Sequence, residues 1–162
     1  MHEPLEILEA DLERIDHQDA VCALTAAYAL DAFGNGGPLP DDVMERLIPG
    51  LRSHPTTIVF LAYAGKNPVG IATCFRGFST FLGKPLINIH DLAVLPECRG
   101  RGIGHALLHA VEAKARAIGC GKITLEVLQT NERARNVYHR HGFDAATSDH
   151  PNDQSLFYTK YL

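Results

Sequence analysis

The chain has 162 residues, 46% hydrophobic and 21% charged, enough for one packed domain and short for two, so a single domain over residues 1–162 is expected. Its formal net charge of −4 argues against nucleic acid as the main ligand, and no apolar run reaches the roughly 18 residues that a membrane span needs. The opening MHEPLEILEADLERIDHQ is acidic where a secretory leader is basic, and Cys22, Cys74, Cys98 and Cys120 form no Cys-x-x-Cys pair, so reduced thiols in a cytoplasmic protein are expected.

In chain order, LEILEADLE (5–13) alternates weakly and predicts a first strand. Asp16 is placed to cap a helix whose apolar face, Ala20, Cys22, Ala23, Ala26, Ala27 and Leu30, runs up to Gly34. GNGGPLP (34–40) has loop composition, and DDVMERLIPGL begins a second helix with acids in its first turn. TTIVFLAYAG (56–65), the turn GKN and PVGIATCFRG (68–77) predict a hairpin, and PLINIHDLAVLP (85–96) a further strand. After a glycine-rich turn, Ile103, Ala106, Leu107, Ala110, Val111, Lys114, Ala115 and Ile118 repeat at three and four, a helix closed by Gly119. KITLEVL (122–128) predicts a strand, NERARNVYHRHG a helix capped by Asn131, and DAATS (144–148) and SLFYTKYL (155–162) closing strands. This order makes a mixed α/β sheet with one parallel crossover, from strand 85–95 through helix 103–118 to strand 122–128.

Three glycines, Gly100, Gly102 and Gly104, stand at the mouth of the helix inside that crossover. Backbone N–H groups and the helix dipole there suit an oxyanion, and glycines let it approach. A Walker A loop would need Lys-Ser/Thr after the last glycine, where His105 and Ala106 stand. The dinucleotide fingerprint G-x-G-x-x-G would need glycine at 105 or 107, where His105 and Leu107 stand, although Glu126 lies about 20 residues on.

Arg99-x-x-Gly102-x-Gly104 resembles the R/Q-x-x-G-x-G/A pyrophosphate loop of the GNAT superfamily of acetyl-CoA-dependent N-acyltransferases. LEVLQTNERARNVYHRHGF (125–143) is similar to the superfamily's second signature, L-x-V-x-x-x-N-x-x-A-x-x-x-Y-x-x-x-G-F, at every fixed position. The resemblance is strong over residues 86–143. It implies a GNAT fold: a mixed, mostly antiparallel sheet of six to seven strands, splayed like a V between the fourth and fifth, with about four helices. It also implies an N-acetyltransferase moving an acetyl group from acetyl-CoA to a primary amine. The backbone of Leu92, Ala93 and Val94 would hold the pantetheine arm. Gly100, Arg101, Gly102, Ile103, Gly104 and His105 would hold the pyrophosphate with help from Arg99, and Asn131 would contact CoA. Arg133, Arg135 and Arg140 are available to the 3′-phosphate without any one being singled out.

By the same resemblance Tyr138 is the acid that protonates the leaving thiolate. The base is His90, Glu126 or water alone. Asn88 stands where other members keep a glutamate, so that option is absent. Asp91 is expected to point the other way along the strand, unless a bulge changes which side chains face the cleft. His105 and His109 lie four apart on one helix, but no third ligand is evident, so no metal is expected. His139 and His141 flank Arg140 and read as structural or solvent-facing.

Residues 1–50 carry eleven acids against Arg14 and Arg46, a net of −9, and DHPNDQ adds Asp149 and Asp153. An acidic acceptor cleft would concentrate an ammonium group: a polyamine, an aminoglycoside, a lysine or a protein N-terminus. A homodimer is compatible with the resemblance. The alternative from another class is a silent acyl-CoA-binding or sensing module, which would keep the loop and need neither Tyr138 nor a base.

Overall fold

The computed structural model describes residues 4–144 and 157–162. A five-stranded sheet in the order β1-β2-β3-β4-β5 is built from β1 (Leu5–Glu9), β2 (Thr57–Ala64), β3 (Asn67–Ser79), β4 (Lys84–Val94) and β5 (Lys122–Leu125). The first three pairings are antiparallel and β4–β5 is parallel, reached through helix α3 (Ile103–Ala117). Helices α1 (Ile15–Ala29), α2 (Asp41–Ser53) and α4 (Glu132–Arg140) complete the described elements.

Alternation along β2 divides the core. Ile58, Phe60 and Ala62 join Leu107, Leu108 and Val111 of α3 on one face. Val59 and Leu61 join Val21, Leu24 and Leu51 of α1 and α2 on the other. A period of two sends neighbouring residues to opposite layers, so one apolar run serves both. Gly70 of β3 lets α3 seat closely, because a Cβ there would stand 3.1 Å from Ile103 and 3.2 Å from Leu107.

Several expectations change. The described sheet has five strands, where six to seven were expected. The strand expected over 144–148 and the loop with Asp149 and Asp153 fall, save Asp144, outside the described residues, and residues 157–162 form no strand. The first strand ends at Glu9 because the chain turns there, with the Asp11 N–H donating to His17 Nδ1 at 2.9 Å. Arg14, not Asp16, is the cap residue of α1; Asp16 sits in the first turn, 2.6 Å from Arg14. Among the described residues no helix is long and apolar enough to cross a membrane.

Candidate active site

The β3–β4 register shifts by one residue in mid-strand. Asp91 faces Thr73 and Ile89 faces Cys74, so His90 has no residue opposite it. This bulge interrupts the alternation: Ile87, Ile89, Leu92 and Val94 all pack on the α3 layer, and Ala93 and Leu95 on the α1 layer. His90 and Asp91 together therefore turn toward the α1 layer. The His90 ring meets Phe75, a residue of that layer, edge-on at 5.7 Å. Asp91 lies close enough to Tyr28 of α1 for its charge to help burial in raising the Tyr28 phenol. Burial pushes the Asp91 carboxyl above the usual carboxylate range, with His90 pulling it back. The expectation that Asp91 points away is corrected, and the extra residue is the reason.

Where the bulge begins, β4 and β5 part. Leu86–Ile89 pair with Lys122–Leu125 and the pairing goes no further. β5 thus ends at Leu125, three residues short of the end of the strand expected over 122–128, and Glu126 follows, exposed. Leu95 N–H donates to Val69 C=O at 2.9 Å, which sets the phase of the antiparallel ladder. By that phase the backbone groups of Leu92 and Val94 face the parted edge. Those of Ala93 pair with Ile71, so Ala93 is not placed to hold a pantetheine arm as expected.

Arg99 is held by the chain's own groups. Its Nε donates to the Val94 carbonyl at 2.9 Å and its Nη2 to Asp31 Oδ2 at 2.6 Å, with both side chains mostly buried. Asp31 also accepts from the Phe33 N–H at 2.9 Å; that bond first, and then Arg99, hold its carboxyl below the usual range. The pair fastens the loop after α1, and with it Tyr28, to the end of β4.

The turn that follows needs glycine. Gly100 and Gly102 have φ of 78° and 80°, a left-handed conformation that costs a residue with a Cβ about 1 kcal/mol or more. Gly102 caps α3, and no side chain bonds the helix start. The ladder begins with Ala106 N–H donating to Gly102 C=O at 3.0 Å, which leaves the N–H groups of Ile103, Gly104 and His105 directed out of the helix end. The Ile103 side chain is buried in the core, so only its N–H is on offer. Arg101 is exposed and donates to the Glu97 carbonyl at 3.2 Å.

Asn131 caps α4, its Oδ1 accepting from Ala134 N–H at 3.2 Å. Tyr138 packs on the α3-layer core with its ring 5.9 Å from Phe143. Burial, and next the neighbouring Tyr28, push its phenol up to about 12, so it stays a proton donor at neutral pH. Arg133 also helps to lower Asp31, which puts its charge near the same region. His105 and His109 acquire a neighbour unseen in the sequence: the rings of His109 and His141 lie 4.5 Å apart, and His141 Nε2 stands 3.2 Å from Glu112 Oε2. His141 is therefore buried, its side chain 5% exposed.

Thus Tyr28 lies near enough to Tyr138 to help raise its phenol, with His90 and Asp91 at the bulge on the α1 side and the glycine turn beyond Val94. Tyr28, Asp31 and Asp91 were missed because their relevance depends on tertiary contacts. The nearest local signal was the polar pair His90-Asp91 inside an otherwise apolar strand.

The Acetyltransferase (GNAT) family profile matches residues 23–143, and the chain belongs to that family. It is an acetyl-transferring enzyme of a family whose acyl donor is acetyl-CoA. The chain is 28% identical over 129 residues to a thialysine N-epsilon-acetyltransferase of Mus musculus, covering 80% of this chain and 68% of that one. Among solved structures it is similar to a probable acetyltransferase (TM-score 0.79, 20% identity, 96% and 99% of the two chains). It also resembles an aminoglycoside N-acetyltransferase in complex with CoA (TM-score 0.74, 19% identity, 98% and 96% covered).

Proposed function

We propose that this protein acetylates the primary amine of a cationic acceptor, a small molecule or a peptide, by direct transfer from acetyl-CoA. The parting of β4 from β5 at the bulge carries the reading. It leaves an edge with the backbone of Leu92 and the Val94 N–H for the pantetheine amides, the Val94 carbonyl being taken by Arg99, and it turns two polar residues toward α1. Gly100, Gly102 and the N–H groups of Ile103, Gly104 and His105 suit the pyrophosphate. Arg101 and Arg133 are the nearby cations; Arg99 shapes the edge from behind, and Asn131 sets the start of the tyrosine helix.

The chemistry divides among three side chains. Asp91 receives the acceptor's ammonium. His90, beside it and open to water, takes the proton that frees the nitrogen lone pair. As the new C–N bond forms and the C–S bond breaks, Tyr138 gives its proton to the departing sulfur. The placement favours His90 over Glu126, which is exposed beyond the end of β5.

The acidic N-terminal half supports the cationic acceptor less than its composition suggested. Glu9 pairs with Lys114, Glu13 with Arg52, Asp16 with Arg14 and Asp42 with Arg46, and β1 lies at the opposite edge of the sheet from the parted strands. Asp91 carries the argument instead, and the amine-acetylating relatives agree with it. Acetyl-CoA turnover should be fastest with polyamines, aminoglycosides or lysine-like amines; a preference for anionic amino sugars overturns the acceptor class. Tyr138→Phe should lower kcat by about 10²–10⁴ while CoA still binds. Unchanged kcat would remove Tyr138 from the reaction.

A further inference from the structure

We propose that His109, Glu112 and His141 form a divalent transition-metal site of the zinc class that ties α4 to α3. One ligand atom from each lies within 4.8 Å of the other two. His109 and Glu112 are three apart on α3 and so share a face, and His141 is the residue that ends α4. Two ligand atoms bound to one zinc at about 2.0–2.1 Å in a tetrahedron stand about 3.3 Å apart. His141 Nε2 and Glu112 Oε2 are 3.2 Å apart.

That spacing also suits a histidine–carboxylate ion pair; the burial of the ring nitrogen, and a third ligand beside it, favour an ion. His141 Nε2 is buried and has no hydrogen-bond partner, an arrangement that is costly unless something satisfies it. Glu112 is already engaged on its other oxygen: Oε1 accepts from Arg116 Nε at 3.0 Å and Nη2 at 2.6 Å. This orients the carboxylate and leaves Oε2 turned to His141, the outer-shell arrangement of built metal sites. His109 is exposed on the outer side, which gives an ion a path in and a fourth position for water.

The location gives the site a purpose. Helix α4 carries Tyr138, spans only nine residues and contains no fully buried one. An ion bridging its last turn to α3 would hold it where packing alone is thin. Two imidazoles and a carboxylate suit zinc, cobalt or nickel better than magnesium or calcium.

Tag-free protein dialysed against chelator and titrated with CoCl2 should bind one equivalent. It should show the visible absorption of four- or five-coordinate cobalt, be displaced by ZnCl2, and melt roughly 5–10 °C higher at a hundredfold excess over Kd. His109→Ala, at an exposed position that should leave the fold intact, and Glu112→Gln should each weaken binding at least tenfold. No stoichiometric binding overturns the proposal, as does affinity unchanged in both variants. Binding without a rise in melting temperature overturns the tether.

Discussion

Asp91 shows how much one side chain's surroundings decide. In the sequence it is an acid beside a histidine in an apolar strand; in the fold it is half-buried beside Tyr28, with its carboxyl raised by burial. A charge-assisted bond to an ammonium is worth about 1.5–3 kcal/mol. Asp91→Asn should therefore raise KM for a cationic amine about 10- to 100-fold, with KM for acetyl-CoA unchanged. His90→Ala should act on kcat instead, by 10²-fold or more. Steady-state kinetics on the two variants separate anchor from base, and an equal effect on both constants in both variants would sink the division of roles. Tyr138 and Asn131 were legible because their spacing within one short segment is local information. Asp91, Tyr28 and His141 were not, because each owes its importance to a residue far away in the chain.

At the scale of elements, the Asp31–Arg99 pair joins the loop after α1 to the end of β4 across 68 residues of sequence. The Asp31 carboxyl is held below its unfolded value, so the pair's contribution is fully present above the unfolded pKa near 3.9 and is lost as pH falls through the lower folded value. Asp31→Asn should cost on the order of 1–3 kcal/mol at pH 7 in urea denaturation, and the difference from the parent should shrink toward pH 3. A difference independent of pH would mean that the loss is one of packing. Helix α3 and the glycine turn were readable from periodicity and from the φ that glycine alone takes easily. The end of β5 was not, since KITLEVL keeps a strand pattern past the point where its partner turns away.

For the whole molecule, the sheet separates two apolar layers, and the one under α3 also seats the glycine turn. Leu107, fully buried, packs over Gly70, where the missing Cβ lets α3 seat on the sheet. Leu107→Ala should cost about 2–5 kcal/mol, lowering the melting temperature by roughly 5–15 °C. Because α3 would settle differently, KM for acetyl-CoA should rise as well; a stability loss with that KM unchanged would show that the turn is positioned independently of the core. The mixed sheet and its parallel crossover followed from the order of the elements that the sequence predicts. The described sheet has five strands where the resemblance implied six to seven, and the strand expected over 144–148 lies, save Asp144, outside the described residues.

The bulge at His90 also affects how this protein can vary. With a side-chain period of two, removing one of these two residues, His90 or Asp91, would restore plain alternation: the one that remains stays on the α1 side, and Leu92 and Val94 keep their places in the core. A single-codon deletion elsewhere in β4 exchanges the lining of the cleft with that of the core, whereas one at the bulge removes a polar side chain from the cleft and leaves the core in frame. A scan of one-residue deletions along the interior of β4 should find folding best preserved at the bulge, with activity lost there all the same.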